Sequence, residues 1–193
     1  MINIVKKSFE ASIKAKERFL TKKNAALVVE ASELIAEAFT SGAKLMIVGN
    51  GGSAGDAQHL AAEFVNRFEI ERPPLPAIAL TTDTSTITSI GNDYDFKEIF
   101  SKQVKALGKE GDVLLAISTS GNSANVIAAV TAAKKLDIKT ITLTGGDGGK
   151  LMAKADIAIN VNAKSTARVQ EVHITAGHVI CQLVDYILFE KVS

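Results

Sequence analysis

The chain has 193 residues, 47% of them hydrophobic and 22% charged, with a formal net charge of +1. That is enough length for one domain with a substantial core, and the balance excludes a disordered or fibrous chain. The near-zero charge, the absence of tryptophan and an aromatic content of 5% give no reason to expect nucleic acid as a partner.

Residues 2–20 carry Ile4, Val5, Phe9, Ile13 and Phe19 at roughly helical spacing. Residues 25–40 are clearer, with Leu27, Val28, Ala31, Leu34, Ile35, Ala38 and Phe39 on one stripe, and Ser41-Gly42 stops that helix. Five short apolar runs follow, at 44–49, 76–80, 112–118, 139–145 and 156–161. They are apolar on both alternating faces, the mark of strands buried on both sides of a parallel sheet. Helical patterns lie between most of them, at 54–66, 96–107, 123–136 and briefly 149–154, and 166–190 reads as one long helix. The expected fold is therefore α/β: a three-layer αβα sandwich with a five-stranded, mostly parallel sheet. The expected organisation is a single domain, 1–193, in which 1–42 forms a helical extension that packs on the core or on a neighbouring subunit. The long last helix is apolar on more than one side, through Val169, Val172, Ala176, Val179, Ile180, Leu183, Val184, Ile187 and Leu188. One side is expected to face its own sheet and the other another subunit. The lone cysteine, Cys181, cannot close an internal disulfide. No charged-then-apolar leader opens the chain and no uninterrupted apolar run reaches bilayer length, so a cytoplasmic protein without a membrane partner is expected.

Ligands of such sheets sit beyond the carboxyl ends of the strands. The turn after the first strand, Gly49-Asn50-Gly51-Gly52-Ser53-Ala54, meets the looser dinucleotide pattern. The acidic residue that pattern requires at the end of the second strand is missing, since the strand ends at Leu80 and the nearest acid is Asp83. The helix behind the turn also carries Asp56, Gln58, His59 and Glu63, where a dinucleotide-binding helix needs small and apolar residues. The loop after the third strand, Ser118-Thr119-Ser120-Gly121-Asn122-Ser123, places four hydroxyls at the start of a helix. Free N–H groups and a partial positive charge there suit a dianionic phosphate; helix capping alone would need one such residue. His59 and Glu63 are four apart and share a helical face, either as a surface pair or as two zinc ligands.

The stretches GNGGSAGDAQHLAAEF, GNDYDF, GDVLLAISTSGNSANVI, ITLTGGDGGK and RVQEVHI together resemble the sugar isomerase (SIS) domain family over residues 1–190. The resemblance is strongest to members that interconvert sedoheptulose 7-phosphate and D-glycero-D-manno-heptose 7-phosphate, an early step toward ADP-heptose and the lipopolysaccharide core. It implies a homotetramer with active sites between subunits, and one zinc ion per subunit held by His59, Glu63, Gln170 and His178. It implies Glu63 and His178 as the acid/base residues. Substrate contacts would come from Asn50, Gly51, Gly52, Ser53, Glu63, Asn92, Asp93, Ser118, Thr119, Ser120, Ser123 and Gln170. Ala167 stands where some members carry aspartate. Non-catalytic relatives, which sense a phosphosugar or form a scaffold that binds a replication initiator, lose the glutamate or the final histidine; this chain keeps both.

The chemistry needs such groups. Moving a proton between C1 and C2 of a sugar requires a base, an acid for the neighbouring oxygens and stabilisation of negative oxygen. Gln170 and His178 are the awkward pair, because eight helical residues advance about 12 Å. Either the helix begins after Gln170, or it bends near Gly177, or the two belong to different subunits. His173 lies on another face and is expected to be structural.

Overall fold

The computed structural model describes residues 1–190. Two helices open the chain, α1 (Ile2–Phe19) and α2 (Lys22–Thr40). Thr21 caps α2 through its hydroxyl, which accepts the Asn24 N–H. Gly42, with φ of 73°, ends it in the left-handed conformation that glycine adopts without strain. The strands are β1 (Leu45–Gly49), β2 (Ala77–Ala79), β3 (Val113–Ser118), β4 (Lys139–Gly145) and β5 (Ile157–Val161). All pair in parallel, in the order β2-β1-β3-β4-β5. Between them lie α3 (Gly52–Val65), α4 (Thr84–Asp93), α5 (Ile99–Leu107), α6 (Ala124–Lys134) and α7 (Gly149–Met152). Helix α8 (Thr166–Asp185) follows and runs on into a π-helical turn, Tyr186–Glu190.

Strand alternation divides the core in two. Leu45, Ile47, Leu115, Ile117, Ile141, Leu143, Ile157 and Ile159 pack toward α2, α3 and α8. Met46, Val48, Leu114 and Ala116 pack on the other side, with Phe100, Val104, Val126 and Val130 of α5 and α6. This is the expected three-layer sandwich, and the strands read as continuous apolar runs because both of their faces are covered.

Three features of the helices differ from or add to the sequence reading. Residues 84–93 form a helix where the sequence reading leaves a loop: Asp83 caps it, accepting from the Thr86 N–H at 3.0 Å. A run of threonine and serine hides its period. Helices α1 and α2 of the same chain pack on a second side of α8, while Val179 of that helix stays exposed. Helix α1 also exposes large apolar residues, at Ile2, Val5, Phe9 and Ile13. Finally, Thr166–Glu190 is long and apolar enough to cross a bilayer by length and composition. Here it packs against α1, α2 and α3 and turns His173 and Asp185 into the interior.

Helices α3 and α8 run in the same direction and touch closely. A Cβ placed on Gly177 would lie 2.7 Å from Leu60 Cδ2 and 2.8 Å from Cδ1. Leu60 is 1% exposed and has nowhere to swing. Replacing a helical glycine by alanine ordinarily gains up to about 1 kcal/mol, but overpacking a tight core costs roughly 1–3 kcal/mol. Gly177→Ala is therefore expected to lower Tm by several degrees, and a raised Tm in calorimetry would show that Leu60 repacks.

His173 is structural, as expected. Its Nε2 faces the Thr144 carbonyl oxygen at 2.9 Å, so Nε2–H donates and the buried Nδ1 is left without a partner. Burial is the main cause that lowers its pKa to about 4, against the opposing pull of that hydrogen bond. The imidazole is thus neutral in the fold at a pH where the unfolded chain protonates it. Stability falls as pH drops from about 6.5 toward 4, by an amount on the order of 3 kcal/mol. His173→Gln is expected to flatten urea-derived stability across that window relative to the unsubstituted chain; an unchanged slope would assign the pH dependence to other groups.

Candidate functional site

The sheet order reverses direction between β1 and β3, so the loops after these strands diverge and open a crevice at their carboxyl ends. The glycine turn meets the first turn of α6 at a reciprocal amide pair. Asn50 Nδ2 donates to Asn125 Oδ1 at 2.8 Å and Asn125 Nδ2 donates to Asn50 Oδ1 at 2.9 Å. Gly51, with φ of 55°, makes the turn into α3, and no side chain caps that helix. Ser53 is buried behind it.

On the β3 side, Ser118 and Ser123 hydroxyls lie 3.0 Å apart. Ser123 precedes α6 but makes no side-chain capping bond, so the first N–H groups of α6 are not occupied by it. Asn122 is committed elsewhere, accepting the Lys150 N–H at 3.2 Å. Thr119 and Ser120 border a cleft of about 320 Å³ whose other walls include Gly145, Gly146 and Val169. The arrangement offers neutral donors and a helix N-terminus to an anion.

The candidate acid/base and metal-binding groups lie on facing stripes of α3 and α8. His59 Nε2 is 3.1 Å from Glu63 Oε1 and 2.9 Å from His178 Nε2. One ligand atom from each of the three lies within 4.8 Å of the others. Two imidazole nitrogens and a carboxylate oxygen turned to one point compete for a single proton, whereas a cation satisfies all three. The donor set and its spread fit zinc. Phe68 stacks on the His178 ring, with centroids 5.5 Å apart and planes at 29°. The side chains of His59 and Glu63 remain 48% and 24% exposed.

Of the four expected metal ligands, the chain brings three together. Gln170 lies within a continuous α8, which overturns a helix start after it. Its amide sits over Gly52, so closely that any Cβ at position 52 would collide with it. Gly52 is seven residues before His59 and Gln170 eight before His178, so this contact is about 10–12 Å from the triad along both helices. Within one chain, Gln170 belongs to the glycine turn. Asn92 and Asp93 are exposed at the end of α4 and hydrogen-bond to each other at 2.9 Å; among the described residues no side-chain hydrogen bond joins them to the other candidates. Ala167 is exposed in the first turn of α8.

Sequence reasoning gives no role to Asp56. It stands one turn before His59, and its Oδ2 is buried without a partner. Burial holds its carboxyl above the usual range, against the lowering pull of His59. The Asp56, His59, Glu63 spacing of three and four along one helix is the signal that finds it. Beneath the triad, Cys181 is fully buried. Burial pushes its thiol up, aided by the charges of Glu63 and Asp185 and opposed by Arg72.

The SIS domain model matches residues 8–145. Phosphoheptose isomerase of Nitratidesulfovibrio vulgaris Hildenborough is 60% identical over 169 residues, 88% of this chain and 81% of that one. Phosphoheptose isomerase of Thermodesulfovibrio yellowstonii is 54% identical over 186 residues, 96% and 92% of the two chains. The solved phosphoheptose isomerase of Neisseria gonorrhoeae superposes with a TM-score of 0.90 at 49% identity, covering 95% of this chain and 97% of that one. With this match over nearly its whole length, the chain belongs to the SIS domain family and, within it, to the phosphoheptose isomerases.

Proposed function

We propose that the protein converts sedoheptulose 7-phosphate to D-glycero-D-manno-heptose 7-phosphate, supplying a heptose phosphate for lipopolysaccharide synthesis. The observation that carries this reading is the convergence of His59, Glu63 and His178, two of them on the helix that starts at the crevice bordered by the hydroxyl-rich loop. The relatives that share its length bear the name of that activity.

In the ketose, C2 is the carbonyl and C1 bears two hydrogens and a hydroxyl. The Glu63 carboxylate takes a proton from C1, and the electron pair passes toward the C2 oxygen, which takes a proton from His178. The resulting enediol then returns its O1 proton to His178 and receives the Glu63 proton at C2. The net change moves one hydrogen from C1 to C2 and one from O1 to O2. His59, Glu63 and His178 would hold zinc, which when bound supplies a Lewis acid for charge on the C1 and C2 oxygens. Gln170 reaches the complex from the Gly52 side, as a substrate contact or as a ligand contributed to a neighbouring subunit. Ser118, Thr119, Ser120, Ser123 and the α6 N-terminus would take the phosphate, with Asn50, Gly51, Gly52 and Ser53 along the sugar and Asn92 and Asp93 at its margin.

Proton transfer at carbon favours a site closed to water. The half-exposed His59 and the exposed apolar stripe on α1 are both accounted for by a homotetramer whose subunits cover one another's triads.

A coupled assay with sedoheptulose 7-phosphate tests the reaction. Glu63→Gln and His178→Ala are each expected to lower kcat by roughly 100-fold or more with circular dichroism unchanged; full turnover by either would remove that residue from the mechanism. Protein purified without added zinc should contain about one zinc per subunit, lost in His59→Ala, and light scattering should give four times the chain mass. Metal-free protein at full activity would separate the reaction from the ion.

A further inference from the structure

The Arg72 side chain is 1% exposed and saturated with partners. Its Nε donates to Asp185 Oδ1 at 2.7 Å. Nη2 donates to the Glu63 carbonyl at 2.9 Å, and Nη1 to the Phe64 carbonyl at 2.8 Å and the Pro73 carbonyl at 3.2 Å. A longer contact of 3.4 Å reaches the Asn66 carbonyl. Glu63 and Phe64 are among the last four residues of α3, whose carbonyls have no partner within the helix. The guanidinium therefore closes the end of α3 directly under a reacting residue, at the negative end of its dipole.

Asp185 is seven residues after His178, two turns along the same face of α8. One rigid fork thus ties the helix that carries His59 and Glu63 to the helix that carries His178. It also closes residues 66–72 into a loop, and Phe68 on that loop stacks on the His178 ring. A buried ion pair is weak as a source of stability, since apolar residues of similar volume commonly replace one without loss. A second oxygen of Asp185, buried without a partner, makes this pair weaker still in that role.

We propose that Arg72 and Asp185 are positioning residues, a buried clamp that sets the spacing of His59 and Glu63 against His178 and seats Phe68 over the latter. The proposal rests on the reading of that triad as the reacting site.

The test is Arg72→Met combined with Asp185→Leu, which keeps the volume and removes the fork. The double variant should unfold within a few degrees of the parent, because its packing is retained. Its metal-free crystal structure should show the His59 and His178 Nε2 atoms beyond hydrogen-bonding distance and Phe68 off the ring. Its affinity for Co²⁺, followed by visible absorption, should fall roughly 10- to 100-fold. Turnover of sedoheptulose 7-phosphate should lose kcat with little change in KM, since the phosphate loop is untouched. Arg72→Lys, which keeps the charge opposite Asp185 without the planar fork, should fall between the two and serves in their place if the double variant does not fold. A folded variant with unchanged triad spacing and Co²⁺ affinity overturns the clamp. If the unsubstituted protein itself does not turn over, the isomerase reading fails, while spacing and Co²⁺ affinity still decide the clamp.

Discussion

The side-by-side register of α3 and α8 is the constraint on which the site depends. The two helices run in the same direction, and their contacts follow in step: Gly52 under Gln170, Leu60 against Gly177, His59 beside His178, and the end of α3 tied to Asp185. A slip of one residue would turn each face by about 100° and scatter all four contacts together. The close approach at Gly177 sets the distance between the axes; the guanidinium of Arg72 sets the register at the far end. Neither touches substrate in the proposed chemistry, and both bear on whether two side chains of α3 and one of α8 can meet at one point.

The reversal in strand order gives the second half of the arrangement. Because β1 and β3 are neighbours whose following loops diverge, the glycine turn and the serine-rich loop open toward each other and are braced by the Asn50–Asn125 amide pair. The two loops suit different work. The β3 loop presents hydroxyls and a helix N-terminus without a lysine or arginine among its residues, so a phosphate can be held by neutral donors. The β1 loop leads straight into the helix that carries His59 and Glu63. A sugar phosphate laid across the crevice would have its two ends read by separate elements of the sheet.

Much of this was legible in the chain. The five strands stand out as doubly apolar runs because both sheet faces are covered, and the His59–Glu63 pair is visible because helical period four is a local property. Helix α4 was hidden, since threonine and serine carry neither an apolar stripe nor a helical preference, and its cap at Asp83 reads equally as a turn. The surroundings of α8 escape the sequence for a related reason: an apolar face does not say what covers it, and here α1 and α2 pack on α8 while Val179 stays exposed. Gln170 shows the limit most clearly. Its distance from His178 follows from helical rise alone, but its place over Gly52 depends on how α8 lies across α3. Arg72 is beyond reach altogether: in the sequence it is an arginine before two prolines, and only the packed helices bring four carbonyls and a carboxylate to it.

Cys181 has a practical side. It is fully enclosed between α8 and the core, and its surroundings suppress the thiolate through which cysteine reacts. Maleimides therefore find no thiol target in the folded chain, which contains no other cysteine. A cysteine introduced at a chosen surface position would be the single reactive thiol of each chain, and a dye or spin label could be attached there with the natural residue left in place.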